Sequence, residues 1–118
     1  MTEFTINEKE YSFYGINVFD ADFVHRKIKP HLEKLSYQED ENGIKSSNES
    51  EVFAGIPEED VQGIYDRILP CIKIKNTENW TQLYVQKGRQ FLFPVNYIEL
   101  QALFFNSIGA ILNPLGKN

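Results

Sequence analysis

The segment 96–112, NYIELQALFFNSIGAIL, carries a single charged residue, Glu99, and its reading decides how the rest of the chain is arranged. Asn96 and Glu99 occupy the N-cap and N3 places of a capping box just after Pro94, so a helix is predicted from Tyr97, ending before Pro114. At 100° per residue Leu100, Phe104, Ile108 and Ile111 form one apolar stripe, the natural core face. Ile98, Phe105 and Leu112, at seven-residue spacing, form a flank beside it. The helix is too short to cross a bilayer. Two readings follow: a central helix buried by the other elements, or a helix whose flank docks another chain or a copy of itself.

Upstream, 80–85 and 90–93 read as extended segments joined by Gln86-Lys87-Gly88-Arg89, a second hairpin. The alternation Ile72-Lys73-Ile74-Lys75 suits a strand or an extended connector. A helix is marked by Pro57 at its first position, Glu58 and Glu59 in its first turn, and Val61, Ile64, Tyr65, Ile68 and Leu69 at helical spacing, closed by Pro70. At the other end, Phe4 and Ile6 alternate with polar residues before Asn7-Glu8-Lys9, and Tyr11 and Phe13 after it, predicting a hairpin. Asn17 with Asp20 opens a further helix whose inner face is Ala21, Val24, Ile28, Leu32 and Leu35, kinked or divided at Pro30. Phe19 and Phe23 lie off that face and are expected to pack on the hairpin, with an exposed Phe23 reading instead as a partner contact. The fold class is therefore α+β, mainly helical: an N-terminal β-hairpin, two amphipathic helices, a second short hairpin and an apolar C-terminal helix.

A chain of 118 residues with 42% hydrophobic and 14% aromatic content fits one domain, 1–118, with enough core to do without staples. The net charge of −5 is uneven: 5 basic and 6 acidic residues lie in 1–37, 1 and 8 in 38–60, and 6 and 3 in 61–118. Within the acidic block, 38–50 has Ile44 as its one large apolar residue and reads as a flexible acidic loop. An acidic chain does not neutralise phosphates, and the small basic run His25-Arg26-Lys27 reads as a solvated helix face, so no nucleic acid is expected. No run of 18 apolar residues occurs, so no membrane is expected either. The start Met1-Thr2-Glu3-Phe4 lacks the basic and apolar regions of an export signal, and a reducing cytoplasm is the expected setting.

Chemistry-bearing patterns are sparse. His25 and His31, six apart, turn about 240° away from each other on one helix and cannot share a metal. Cys71, between Pro70 and Ile72, reads as a small apolar residue rather than a nucleophile. The runs Glu39-Asp40-Glu41 and Glu58-Glu59-Asp60 lack the spaced ligands and central glycine of a calcium loop. No serine elbow or glycine-rich phosphate loop is present, so neither catalytic residues, metal nor cofactor are expected.

Both ends of the chain carry a resemblance. The opening Phe4-Thr5-Ile6-Asn7-Glu8-Lys9-Glu10-Tyr11, followed by Phe19 and by Phe23-Val24-His25-Arg26-Lys27-Ile28-Lys29-Pro30-His31-Leu32, resembles the start of bacteriophage tail assembly chaperones. There a hairpin of the form F-T-I-N-G-K-x-Y precedes a helix with a basic pair and a proline; Glu8 stands here where that pattern has glycine. Trp80, then Gly88-Arg89-Gln90-Phe91-Leu92-Phe93 and Leu100-Gln101-Ala102-Leu103, is similar to the family's tryptophan, turn, short strand and terminal helix. The resemblance implies a non-enzymatic protein of the host bacterial cytoplasm, in a phage or prophage setting. Such a protein binds the tape-measure protein, with the tail tube protein as a further partner, keeps it soluble during tail morphogenesis, and is absent from the mature virion. Ile98, Phe105 and Leu112 are the partner-binding candidates, with Phe23 second, and self-association is a further use of the same face. Two competitors stay open: a tail-completion or connector protein that builds rings through this helix, and a small enzyme.

Overall fold

The computed structural model describes residues 2–112. Strands β1 (Thr2–Ile6) and β2 (Lys9–Phe13) form the N-terminal hairpin, with Ile6 opposite Lys9. Asn7 and Glu8 make its two-residue turn with φ of 51° and 68°, the left-handed pair that matches the twist of tight hairpins. Helix α1 (Val18–Leu32) opens on Asn17, whose side chain accepts from the Asp20 N–H at 2.9 Å. Pro30 lies in its last turn, so the helix is one element that ends soon after the proline. Next come β3 (Tyr37–Glu39), β4 (Lys45–Ser47), α2 (Glu49–Ala54) and α3 (Glu58–Ile68). A 3-10 turn, Leu69–Cys71, places Pro70 at the close of α3 as expected, while Pro57 is the N-cap rather than the first helical residue. The chain finishes through β5 (Ile72–Asn76), β6 (Asn79–Gln82), β7 (Tyr84–Val85), β8 (Gln90–Phe91) and α4 (Tyr97–Leu112). The expected stop at Pro114 lies outside the described residues.

The architecture is α+β, with the N-terminal hairpin and the apolar C-terminal helix in the places read from the sequence. Ile72–Asn76 is a strand. It pairs antiparallel with β2, putting Ile72 opposite Phe13 and Ile74 opposite Tyr11, and with β6 on its other side. The sheet order is β1-β2-β5-β6. The expected segment 80–85 is divided at the buried Leu83: residues before it join the main sheet, and β7 after it pairs with β8 in the hairpin that carries Gly88. Cross-strand register puts Glu3, Ser12, Lys73 and Gln82 in one row on one face of the sheet. The other face supplies Tyr11, Phe13, Ile72 and Ile74 to the core.

Two readings of the sequence are corrected. The acidic stretch 38–50, read as a loop, contains most of the β3–β4 hairpin and the start of α2. Asp40 accepts from the Asn42 and Ile44 N–H groups, both at 2.9 Å, and so shapes the turn between the two strands. Helix α2 carries Val52 and Phe53 inward and leads to the buried Ile56. Phe19 and Phe23, expected on the hairpin, are not there. Phe19 is 84% exposed, and Phe23 packs on α3.

The core joins the sheet to three helices. Val24 and Ile28 come from α1, Ile64, Tyr65 and Ile68 from α3, and Leu103, Phe104 and Ile108 from α4. Phe104 is the aromatic hub, with edge-on contacts to Phe53 and Tyr65 at ring separations of 4.9 and 5.5 Å. Burial pushes the Tyr65 hydroxyl up to about 12.

Candidate functional site

Helix α4 is fixed at its start by reciprocal hydrogen bonds. The Glu99 N–H donates to Asn96 Oδ1 at 2.8 Å, and the Asn96 N–H donates to Glu99 Oε1 at 3.1 Å, the capping box read from the sequence. Glu99 also reaches the turn of the first hairpin: Asn7 Nδ2 donates to its Oε2 at 3.1 Å, and Lys9 Nζ lies 3.4 Å away. The amide of Asn7, then the Asn96 N–H and the Lys9 ammonium, hold this carboxyl below its ordinary range against the opposing effect of burial. The one charge of α4 therefore points inward, and this contact sets the rotation of the helix about its axis.

With that rotation fixed, Leu103, Phe104, Ser107 and Ile108 are buried. The expected inner stripe holds at Phe104 and Ile108, while Leu100 and Ile111 are only partly covered. The other side of α4 faces outward. Ile98 is 61% exposed beside Tyr97, and Leu112 is 37% exposed. Phe105 is partly covered, with its ring 5.8 Å from that of Phe53 on α2. Ala102 is partly exposed and Gly109 exposed between these residues, so the outer stripe has no charged member.

The stripe runs into a groove at its C-terminal end. Ile111 and Leu112 face Val18, Ala21, Asp22 and His25 of α1 across a space of about 330 Å³. A neighbouring hollow of about 430 Å³ continues past Val18 and Ala21 to Phe13, Tyr14 and Gly15. Val18 and Phe19 stand open on the first turn of α1. The structure thus brings Ile98, Phe105 and Leu112 onto one surface and adds Val18, which helical patterning missed. Val18 follows directly on the N-cap Asn17 and stands open there, and its place beside the cap was the available signal.

Phe23 is not on this surface. Its ring lies against Gly63 of α3, where a Cβ would come within 2.9 Å of Phe23 Cζ, and the Arg67 guanidinium stacks 3.6 Å from its centroid. Arg67 is held there by the Gly63 carbonyl at 2.9 Å and by Asp20 at 3.4 Å. Phe23 is therefore a packing residue of the α1–α3 interface.

Among the described residues neither histidine nor Cys71 stands in a convergent group of titratable side chains. His25 is exposed, and its neighbour Asp22 pairs with Arg26 at 2.8 Å. His31 sits a helical turn and a half away on α1, partly exposed near Lys34 and Glu51. Cys71 is partly buried with its thiol pointing at the Arg67 carbonyl, 3.4 Å away, and burial, then the nearby Asp20, pushes the thiol up. Among the described residues no group of three or more histidine, cysteine or acidic side chains is placed to hold a metal ion, and no helix is long and apolar enough to cross a membrane. The chain matches no protein-family model, no curated protein and no solved structure.

Proposed function

We propose that this protein is a bacteriophage tail assembly chaperone, a non-catalytic binder that covers apolar helical segments of the tape-measure protein in the host cytoplasm until the tail tube closes around them. One observation carries the reading: the outer stripe of α4, without a charged member from Ile98 to Leu112, is open at Ile98, Gly109 and Leu112 among the described residues and continues into the groove that Ile111 and Leu112 form with Val18 and Ala21 of α1. An amphipathic helix docks on such a surface through side chains at i, i+3, i+4 and i+7. The order of the motifs at the two ends of the chain supports the same reading.

The test is co-expression with the longest helix-rich reading frame neighbouring the gene, scoring its solubility and co-purification. The wild type is expected to bring that product into solution. Ile98→Lys places a charge at an exposed position and is expected to abolish rescue while leaving the circular dichroism and melting temperature of the free protein unchanged. An insoluble client with wild-type protein overturns the reading. So does full rescue by Ile98→Lys combined with Leu112→Lys. Discrete hexameric rings of the protein alone would point to a connector instead.

A further inference from the structure

The outer face of α4 has an internal order that binding of a generic helix does not require. Ile98, Ala102, Phe105, Gly109 and Leu112 fall within an arc of about 80° and are spaced four, three, four and three residues apart, the repeat of a coiled-coil seam. Large residues hold one of the two seam positions, Ile98, Phe105 and Leu112. Small ones hold the other, Ala102 and Gly109. Glycine is the least favourable residue of this helix interior, and among the described residues it serves no close approach. Among the described residues a Cβ built on Gly109 meets nothing within 4 Å. A second helix crossing there would use the space.

We infer that two copies of this protein pair through α4 in antiparallel fashion, Ile98 of each copy packing on Gly109 of the other and Phe105 on Ala102. Reversing one copy about the midpoint between Leu103 and Phe104 sets every large side chain of this central stretch against a small one, which interdigitates without voids. A parallel pair instead puts Phe105 on Phe105 and Gly109 on Gly109, crowding one level and emptying another. Charge favours the same arrangement. Copies carrying a net −5 repel in general, but here they meet on a stripe without ionised groups, and antiparallel helix dipoles attract. The complement is built into the sequence of a second copy, whereas an arbitrary amphipathic helix does not supply it.

The contact is small. A helix of 16 residues is about 24 Å long and about 10 Å across, well short of the roughly 800 Å² per partner of a standard interface. The dimer is therefore weak and exchanging, and it hides the stripe until a client helix displaces it. Only that last step rests on the chaperone reading.

Sedimentation velocity over a concentration series from low micromolar to millimolar tests the pairing. The wild type is expected to pass from monomer to dimer. Gly109→Gln fills the open position without touching the core and is expected to weaken dimerisation by at least about tenfold while melting at or above the wild-type temperature. Spin labels on Leu112→Cys, in a Cys71→Ser background, are expected to lie about 25 Å or more apart in the antiparallel dimer. A wild-type monomer at every concentration, a Gly109→Gln dimer of undiminished strength, or labels in near contact overturns the inference. Client rescue scored separately keeps the two proposals apart: a monomeric wild type that still solubilises its client removes the dimer alone, and a dimer without client rescue removes the chaperone alone.

Discussion

Gly63 and Gly109 both sit inside helices, and their surroundings differ completely. At Gly63 the ring of Phe23 fills the place of a side chain and is held there by Arg67. At Gly109 the corresponding space is open among the described residues. Among the described residues the α1–α3 interface is thus finished, and the outer face of α4 is not. Apolar residues at helical spacing mark both regions in the sequence, so periodicity alone does not separate a packing contact from a surface awaiting one. The glycine of a helix marks a close approach at Gly63 and open space at Gly109, and only the fold tells the two apart.

The sharpest break between the two faces of α4 is expected at neighbouring turns. Phe104→Ala removes a fully buried ring that touches Phe53 and Tyr65 and is expected to cost about 3–5 kcal/mol. Ile98→Ala, on the opposite side, is expected to change stability by less than about 0.5 kcal/mol. Urea unfolding of both variants checks this. A loss at Ile98 comparable to that at Phe104 would mean that the outer face is covered.

A smaller contrast separates the glycines. Gly63→Ala gains helix propensity but drives a methyl into a ring pinned by Arg67, for a net loss of about 1 kcal/mol. Gly109→Ala has no clash to set against the same gain and is expected to stabilise by up to about 1 kcal/mol. Thermal melts of the dilute, monomeric proteins decide it. Equal and positive shifts would show that the Phe23 ring gives way freely.

The same contrast shows how far the fold and the site were legible. The start of α4 was readable because its capping box is local, and the N-terminal hairpin because its alternation is unbroken on both sides of Asn7-Glu8. The turn forms tightly although Glu8 adopts a φ of 68° that glycine would take without strain. What failed was non-local. Helix α2 has only six residues and borrows its stability from Phe104, so Val52, Phe53 and Ile56 carried a signal too short to see. Phe23 was misplaced because its partners, Gly63 and Arg67, lie some forty residues on in sequence. Of the four candidate residues, Ile98 and Leu112 are exposed, Phe105 is shared with Phe53, and Phe23 is half-buried against Gly63 and Arg67 of α3.

Rotation of α4 decides which of its faces is finished, and Glu99 is the residue that pins it. The hydrogen bond from Asn7, the Asn96 N–H and the charge of Lys9 hold the Glu99 carboxyl below its ordinary range. Because the folded value is depressed, the contribution is fully present above the unfolded value near pH 4.3, roughly, and is lost as pH falls through the folded one. Glu99→Gln retains a capping side chain at N3 but not the charge. The variant is expected to be less stable than the wild type at pH 7, with the difference narrowing below about pH 4 as the wild-type carboxyl protonates. Urea unfolding from pH 7 to pH 2 measures that gap. A gap that stays constant across the range would show that the carboxylate acts only as a neutral acceptor, and the inward anchoring of α4 would then rest on its apolar face alone.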